Sequence, residues 1–199
     1  MKSPVCMQTI EKDMPAWLRA LERSMPESLR RQEILALALL TGLAFEKRPP
    51  SFGKMDGDAA LSAYREWTWK LVRDKKKEEL PRLRKRMFKR AYAAGRLLSL
   101  LPGIGTEESR ELLIRLLYRN IGISLEGEIP GKICVPVCFF ASVYDPLTCY
   151  AMSGLDAGII CGILGGGKLR FTHRLTMKDP ACTALCTGPC NAKGGRKEP

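Results

Sequence analysis

Thiols gather at one end of this 199-residue chain: seven of its eight cysteines lie between Cys134 and Cys190. Cys134 and Cys138 are four apart, Cys149 and Cys161 stand singly, and Cys182, Cys186 and Cys190 form C-x₃-C-x₃-C. Thiolate is a soft metal ligand and a strong nucleophile, so two kinds of chemistry are open to this half. The first is a metal site. The terminal triplet fits a short helix, successive turns or, with Gly188 and Pro189 interrupting, a loop. With Cys134, Cys138 or the single histidine His173 completing it, such a set could hold zinc or an iron–sulfur cluster. The spacing differs from the C-x₂-C of common zinc modules. Along a straight strand Cys134 and Cys138 would stand about 13 Å apart, too far to share one ion unless Pro136 bulges the strand. The second is covalent catalysis. Asp156 follows Cys149 by seven residues and shares its helix face, and His173 lies on the apolar face of an alternating segment. Cys149, Asp156 and His173 have the residue types of a nucleophile, an orienter and a base. The plain alternative for each is structural: a buried thiol, a core histidine with one partner, a carboxylate at a cleft.

These residues need elements to position them. Residues 14–23 read as a short helix, and Glu27 to Leu40 continue as a second after Pro26. A loop marked by Pro49, Pro50, Gly53 and Gly57 follows. Asp58 is an N-cap candidate for a helix to about Glu79, Pro81 breaks it, and another helix reaches about Leu101. Thr106 caps a further helix with Glu107 and Glu108 in its first turn and Arg115 and Arg119 toward its end, the polarity that suits the helix dipole. Ile121, Ile123 and Leu125 alternate as in a strand, and 133–144 reads as a strand with an edge or bulge at Pro136. Asp145-Pro146 starts a helix to about Leu164. Ala151, Ser153, Gly154, Ala157, Gly158 and Gly162 would let another element approach this helix closely. After three glycines, 168–177 alternates strictly, with Leu169, Phe171, His173, Leu175 and Met177 on one face. The expectation is an α+β fold: a helical N-terminal half, then a small antiparallel sheet packed against a helix. By composition, 1–105 is a helical region, 106–190 the cysteine-rich part and 191–199 a tail.

The net charge of +12 is concentrated. Residues 70–96 hold twelve Lys or Arg against Asp74, Glu78 and Glu79, a basic helix suited to an acidic partner, nucleic acid or an anionic membrane surface, or simply a solvated face. Trp67, Trp69, Phe88 and Tyr92 are interleaved, but at helical spacing such aromatics are more often core. Gly165-Gly-Gly-Lys168 lacks the phosphate-loop spacing. The N-terminus has no apolar signal segment, and the runs near Ile34 and after Ile133 are short or interrupted by Asp145, Pro146 and Asp156. A cytoplasmic protein with reduced thiols, acting on or binding a small molecule, is the simplest expectation.

One resemblance sharpens this. Cys149 and Asp156, then Thr172, Thr176, Asp179, Pro180 and Cys182 within KLRFTHRLTMKDPAC, resemble the end of the L-2-amino-thiazoline-4-carboxylic acid hydrolase-like family, itself similar to 4-vinyl reductase domains. AYAAGRLLSLLPGIG resembles that family's region ahead of the domain. The resemblance implies hydrolysis of a small heterocycle or amide, with Cys149 as nucleophile or ligand. Two departures stand out: the turn reads Lys178-Asp179-Pro180 where glycine is expected, and Cys186 and Cys190 are extra.

Overall fold

A computed structural model describes residues 15–188. Cys190 and the 191–199 tail lie outside the described residues. The chain forms α1 (Ala16–Arg23), α2 (Glu27–Phe45), α3 (Gly57–Arg73), α4 (Leu80–Leu98) and α5 (Glu107–Asn120), then β1 (Glu126–Gly127), β2 (Gly131–Val135), α6 (Pro146–Leu164), β3 (Lys168–His173) and β4 (Cys182–Thr187). The strands make one antiparallel sheet in the order β1-β2-β4-β3. This is the expected α+β arrangement, helices first and the small sheet last.

Capping chemistry sets most helix starts. Asp56, rather than Asp58, caps α3: its Oδ1 accepts from the Ala59 amide at 2.8 Å, while Asp58 pairs with Arg30. Thr106 caps α5 and Asp145 caps α6 by the same device. Pro81 does not break a helix. It occupies the first turn of α4, where its missing N–H is harmless.

Helix α6 is the spine. Gly154, Gly158 and Gly162 repeat every four residues along one face and meet α4, backbone to backbone. A Cβ at Gly158 would sit 2.6 Å from both the Ala91 Cβ and the Phe88 carbonyl, and one at Gly154 2.4 Å from the Arg84 carbonyl. Gly95 of α4 is equally constrained, 2.5 Å from the Ile159 carbonyl. The basic helix and the cysteine-rich part are thereby fused, and buried residues from both form one core. By length and composition α6 could cross a membrane, yet 72% of its apolar window is buried within the fold.

The strands depart from the alternation read in the sequence. Ile121, Ile123 and Leu125 lie outside any strand, Ile123 making only a single bridge to Cys138. The 133–144 segment is strand only to Val135 and becomes a 3-10 turn over Phe139–Ser142. The 168–177 segment ends as a strand at His173, because a bulge between Phe171 and His173 shifts the register against β4. Cys182 and Cys186 lie on neither helix nor loop. They belong to β4, both buried, on the face shared with Ile133 and Val135.

Candidate functional site

Two cavities adjoin along α6: one of about 80 Å³ between it, α2, α3 and the 3-10 turn at Phe139–Ser142, and one of about 60 Å³ between it and the sheet. Cys138, Cys149 and Asp156 line both. Apart from Tyr118 and Arg174 at the smaller cavity, the walls are mainly apolar and aromatic: Tyr64, Phe140, Tyr144 and Leu155 on one side, Ile133, Val135, Leu169 and Ala184 on the other.

Asp156 is the chemical centre. Helix α6 carries it inward, and Tyr118 of α5 donates its hydroxyl to Oδ1 at 3.1 Å. Oδ2 takes no hydrogen bond among the described residues. Burial raises the carboxyl from 3.8 to about 6, against the opposing pull of the Tyr118 bond, Arg174 and Arg84. Such a group exchanges a proton near neutral pH, which an exposed aspartate does not.

Cys149 stands one turn inside α6, half-buried. Arg174 holds it: Nη1 donates to the Cys149 sulfur at 3.2 Å and lies 3.4 Å from its carbonyl, and Nη2 reaches Ser153 Oγ at 3.3 Å. Arg84 of α4 donates to the same Ser153 hydroxyl at 3.2 Å. Arg174 is itself fixed by its turn. Asp179 Oδ2 accepts from the Arg174 amide at 2.7 Å, and the guanidinium lies 4.5 Å from the Phe171 ring centre. Lys178, in the turn where the family resemblance expects glycine, adopts φ +67°, the left-handed region glycine favours.

His173 is not at the cavity. The bulge at Thr172 exchanges the sides of the two residues that follow, so Arg174 turns in toward Cys149 and His173 turns out. The imidazole is exposed, with Nδ1 2.7 Å from Thr183 Oγ1 and 3.2 Å from Thr172 Oγ1. His173, the base of the sequence reading, thus stands apart from Cys149 and Asp156, which share the cavities.

The metal set is likewise separated. Among the described residues, no three His, Cys, Asp or Glu side chains converge as a metal site. The reason is strand geometry: Cys182 and Cys186, four apart in β4, stand about 13 Å from one another. Cys134 is half-buried on the opposite face of β2 from Ile133 and Val135, and Cys138 lies past its end, at the cavities. Cys182 accepts from the Leu175 amide at 3.2 Å, which ties β4 to the turn behind Arg174. Burial pushes the Cys138 thiol up to about 12 and that of Cys186 to about 11, and raises Cys161 and Cys182 as well. Cys161, Cys182 and Cys186 are buried and behave as small apolar core residues, while Cys138 is half-buried at the cavities.

The sequence reading missed Tyr118, Arg174, Ser153 and Arg84. Tyr118 carried a signal, lying four residues after Ile114 on the inner side of α5. Arg174 carried none, since strict alternation placed it outward. No protein-family model, curated protein or solved structure matches the chain.

Proposed function

We propose that this chain is a small-molecule-binding protein whose ligand presents a compact, largely apolar amide or nitrogen-heterocycle head to Asp156. One observation carries the reading: a carboxyl kept in an apolar cavity, raised to about 6 by burial, with Oδ2 unpartnered. An acceptor in apolar surroundings that takes no hydrogen bond from the protein is one that a ligand N–H can satisfy. The size fits. The two cavities together approach the ~150 Å³ of an engineered apolar cavity that accepts benzene, so one ring fills them.

The contact between the Arg174 guanidinium and the Cys149 sulfur favours a second reading, hydrolysis of the same ligand class. Sulfur is a strong nucleophile, and the carboxyl of Asp156 is available to protonate a leaving nitrogen.

Calorimetric titration of small lactams and thiazolines into the wild-type chain and Asp156→Leu tests both. Saturable binding by the wild type and its loss in a folded Asp156→Leu support the binding reading; equal binding by the two, or none by either, refutes it. Ring opening that disappears in Cys149→Ala while binding persists establishes the hydrolytic reading, and turnover unchanged in Cys149→Ala refutes it.

A further inference from the structure

Asp156 also forms part of the floor of a third, larger space. A groove of about 520 Å³ runs between α2 and α4. Its sides are leucines: Leu29, Leu37 and Leu40 from α2, Leu97, Leu98 and Leu101 from the end of α4 and the turn beyond. Leu97 is 69% exposed and Leu101 39%, so the outer end opens to water with apolar walls. Leu37, Ile121, Leu155 and Asp156 line both this groove and the inner cavity. The two spaces therefore meet at one wall, and the carboxyl sits at their junction.

Polar groups at the groove are few and lie mainly at its floor. Glu33 accepts from the Asn120 side-chain amide, and burial raises its carboxyl to about 8 against that bond and the nearby Arg30. Tyr118 joins it there, its hydroxyl already given to Asp156. Among the described residues, no charged side chain lines the open end to greet a peptide or a phosphate. An occupant that suits these walls is long, apolar and narrow, with one hydrogen-bonding head that reaches Asp156.

We infer that the ligand carries a single unbranched alkyl tail, which lies in the leucine groove between α2 and α4 while its amide head hydrogen-bonds Asp156 at the junction with the inner cavity. This rests on the reading of Asp156 as the anchor and adds the tail. It chooses a fatty amide over a second copy of the chain because the groove continues inward to an unpartnered carboxylate oxygen, which a flat protein contact would leave unused.

The test is calorimetric titration of butanamide and octanamide into the full chain, with sedimentation to follow oligomeric state. Burial of the four further methylenes tightens octanamide on the order of a hundredfold over butanamide. Ala36→Trp, at an exposed position in the groove wall, blocks the tail without touching Asp156. It brings octanamide down to the butanamide affinity and leaves butanamide unchanged. Equal affinity for the two amides in the wild type, or octanamide binding untouched by Ala36→Trp, overturns the tail and leaves the Asp156 anchor standing. Binding of neither amide overturns both. A dimer that Ala36→Trp dissociates, with octanamide unable to compete for it, assigns the groove to a second copy and overturns the tail.

Discussion

Replacing Asp156 by Asn removes a charge that the fold holds against its preference. The folded carboxyl titrates near 6 and an unconstrained one near 3.8. At pH 3 both folded and unfolded chains are largely protonated at this position, so its ionisation contributes little. As the pH rises through 3.8 the unfolded chain gives up the proton first, and stability falls until the folded group also ionises near 6. Above about pH 6.5 the loss is complete, and the difference corresponds to about 3 kcal/mol. Asn keeps the Tyr118 hydroxyl bonded but turns an N–H toward an apolar cavity, which costs about 1 kcal/mol. The variant is therefore expected to be more stable than the wild type by about 2 kcal/mol at pH 7.5 and less stable by about 1 kcal/mol at pH 3. Against a total of roughly 5–15 kcal/mol this is large. Glu33, raised to about 8, adds a loss of the same sign between about 4.5 and 8, but it does so in both proteins and cancels in the difference. Urea unfolding followed by the fluorescence of Trp17, Trp67 and Trp69 at half-unit steps of pH reads the effect. Parallel wild-type and variant curves from pH 4 to 8 would refute the argument that burial strains this carboxyl.

Two further expectations concern the frame around the site. Gly158→Ala places a methyl 2.6 Å from the Phe88 carbonyl, a backbone atom that cannot yield without moving α4. It should cost about 3 kcal/mol and lower Tm, whereas Gly105→Ala, with open space around its Cβ, should be nearly neutral by the same thermal melt. Thiol alkylation mapped by mass spectrometry at pH 8 should modify the half-buried Cys134 and Cys149 before the buried Cys161, Cys182 and Cys186, and also before Cys138, which is half-buried too but whose thiol burial pushes up to about 12. Early labelling of Cys186 in the folded chain would show that β4 does not pack as described.

In the proposed reading, binding and strain have a common origin. An aspartate that costs stability in the middle of a core helix is the kind of residue that stability alone does not retain. Arg174, Arg84 and Tyr118 offset part of the cost without removing it, which leaves a carboxyl whose protonation a ligand can shift.

How much of this was legible beforehand differs by element, for physical reasons. Helices are local objects. The Asp145-Pro146 start, the Thr106 cap and the glycines that end α6 are visible in a few consecutive residues, and α6 spans Pro146–Leu164 as the sequence reads. The spacing of Gly154, Gly158 and Gly162 announced a close neighbour, though not that α4 would be it. The seven-residue separation of Cys149 and Asp156 is a helical repeat, so a common face follows from sequence. Strands depend on partners far along the chain. β4 reads as a loop because of its cysteines, Gly188 and Pro189, and becomes a strand only when β2 and β3 supply hydrogen bonds on both edges. The pattern at 168–177 was real, but nothing within it marks Thr172 as the bulge. That one inserted residue, fixed by the β3–β4 register, turns His173 out to solvent and brings Arg174 to Cys149. The sequence by itself thus determined the helical frame and the face on which the thiol and the carboxyl lie. Tertiary structure alone decided which cation joins them, because a side chain's inward or outward direction after a bulge depends on pairing between segments that no local pattern encodes.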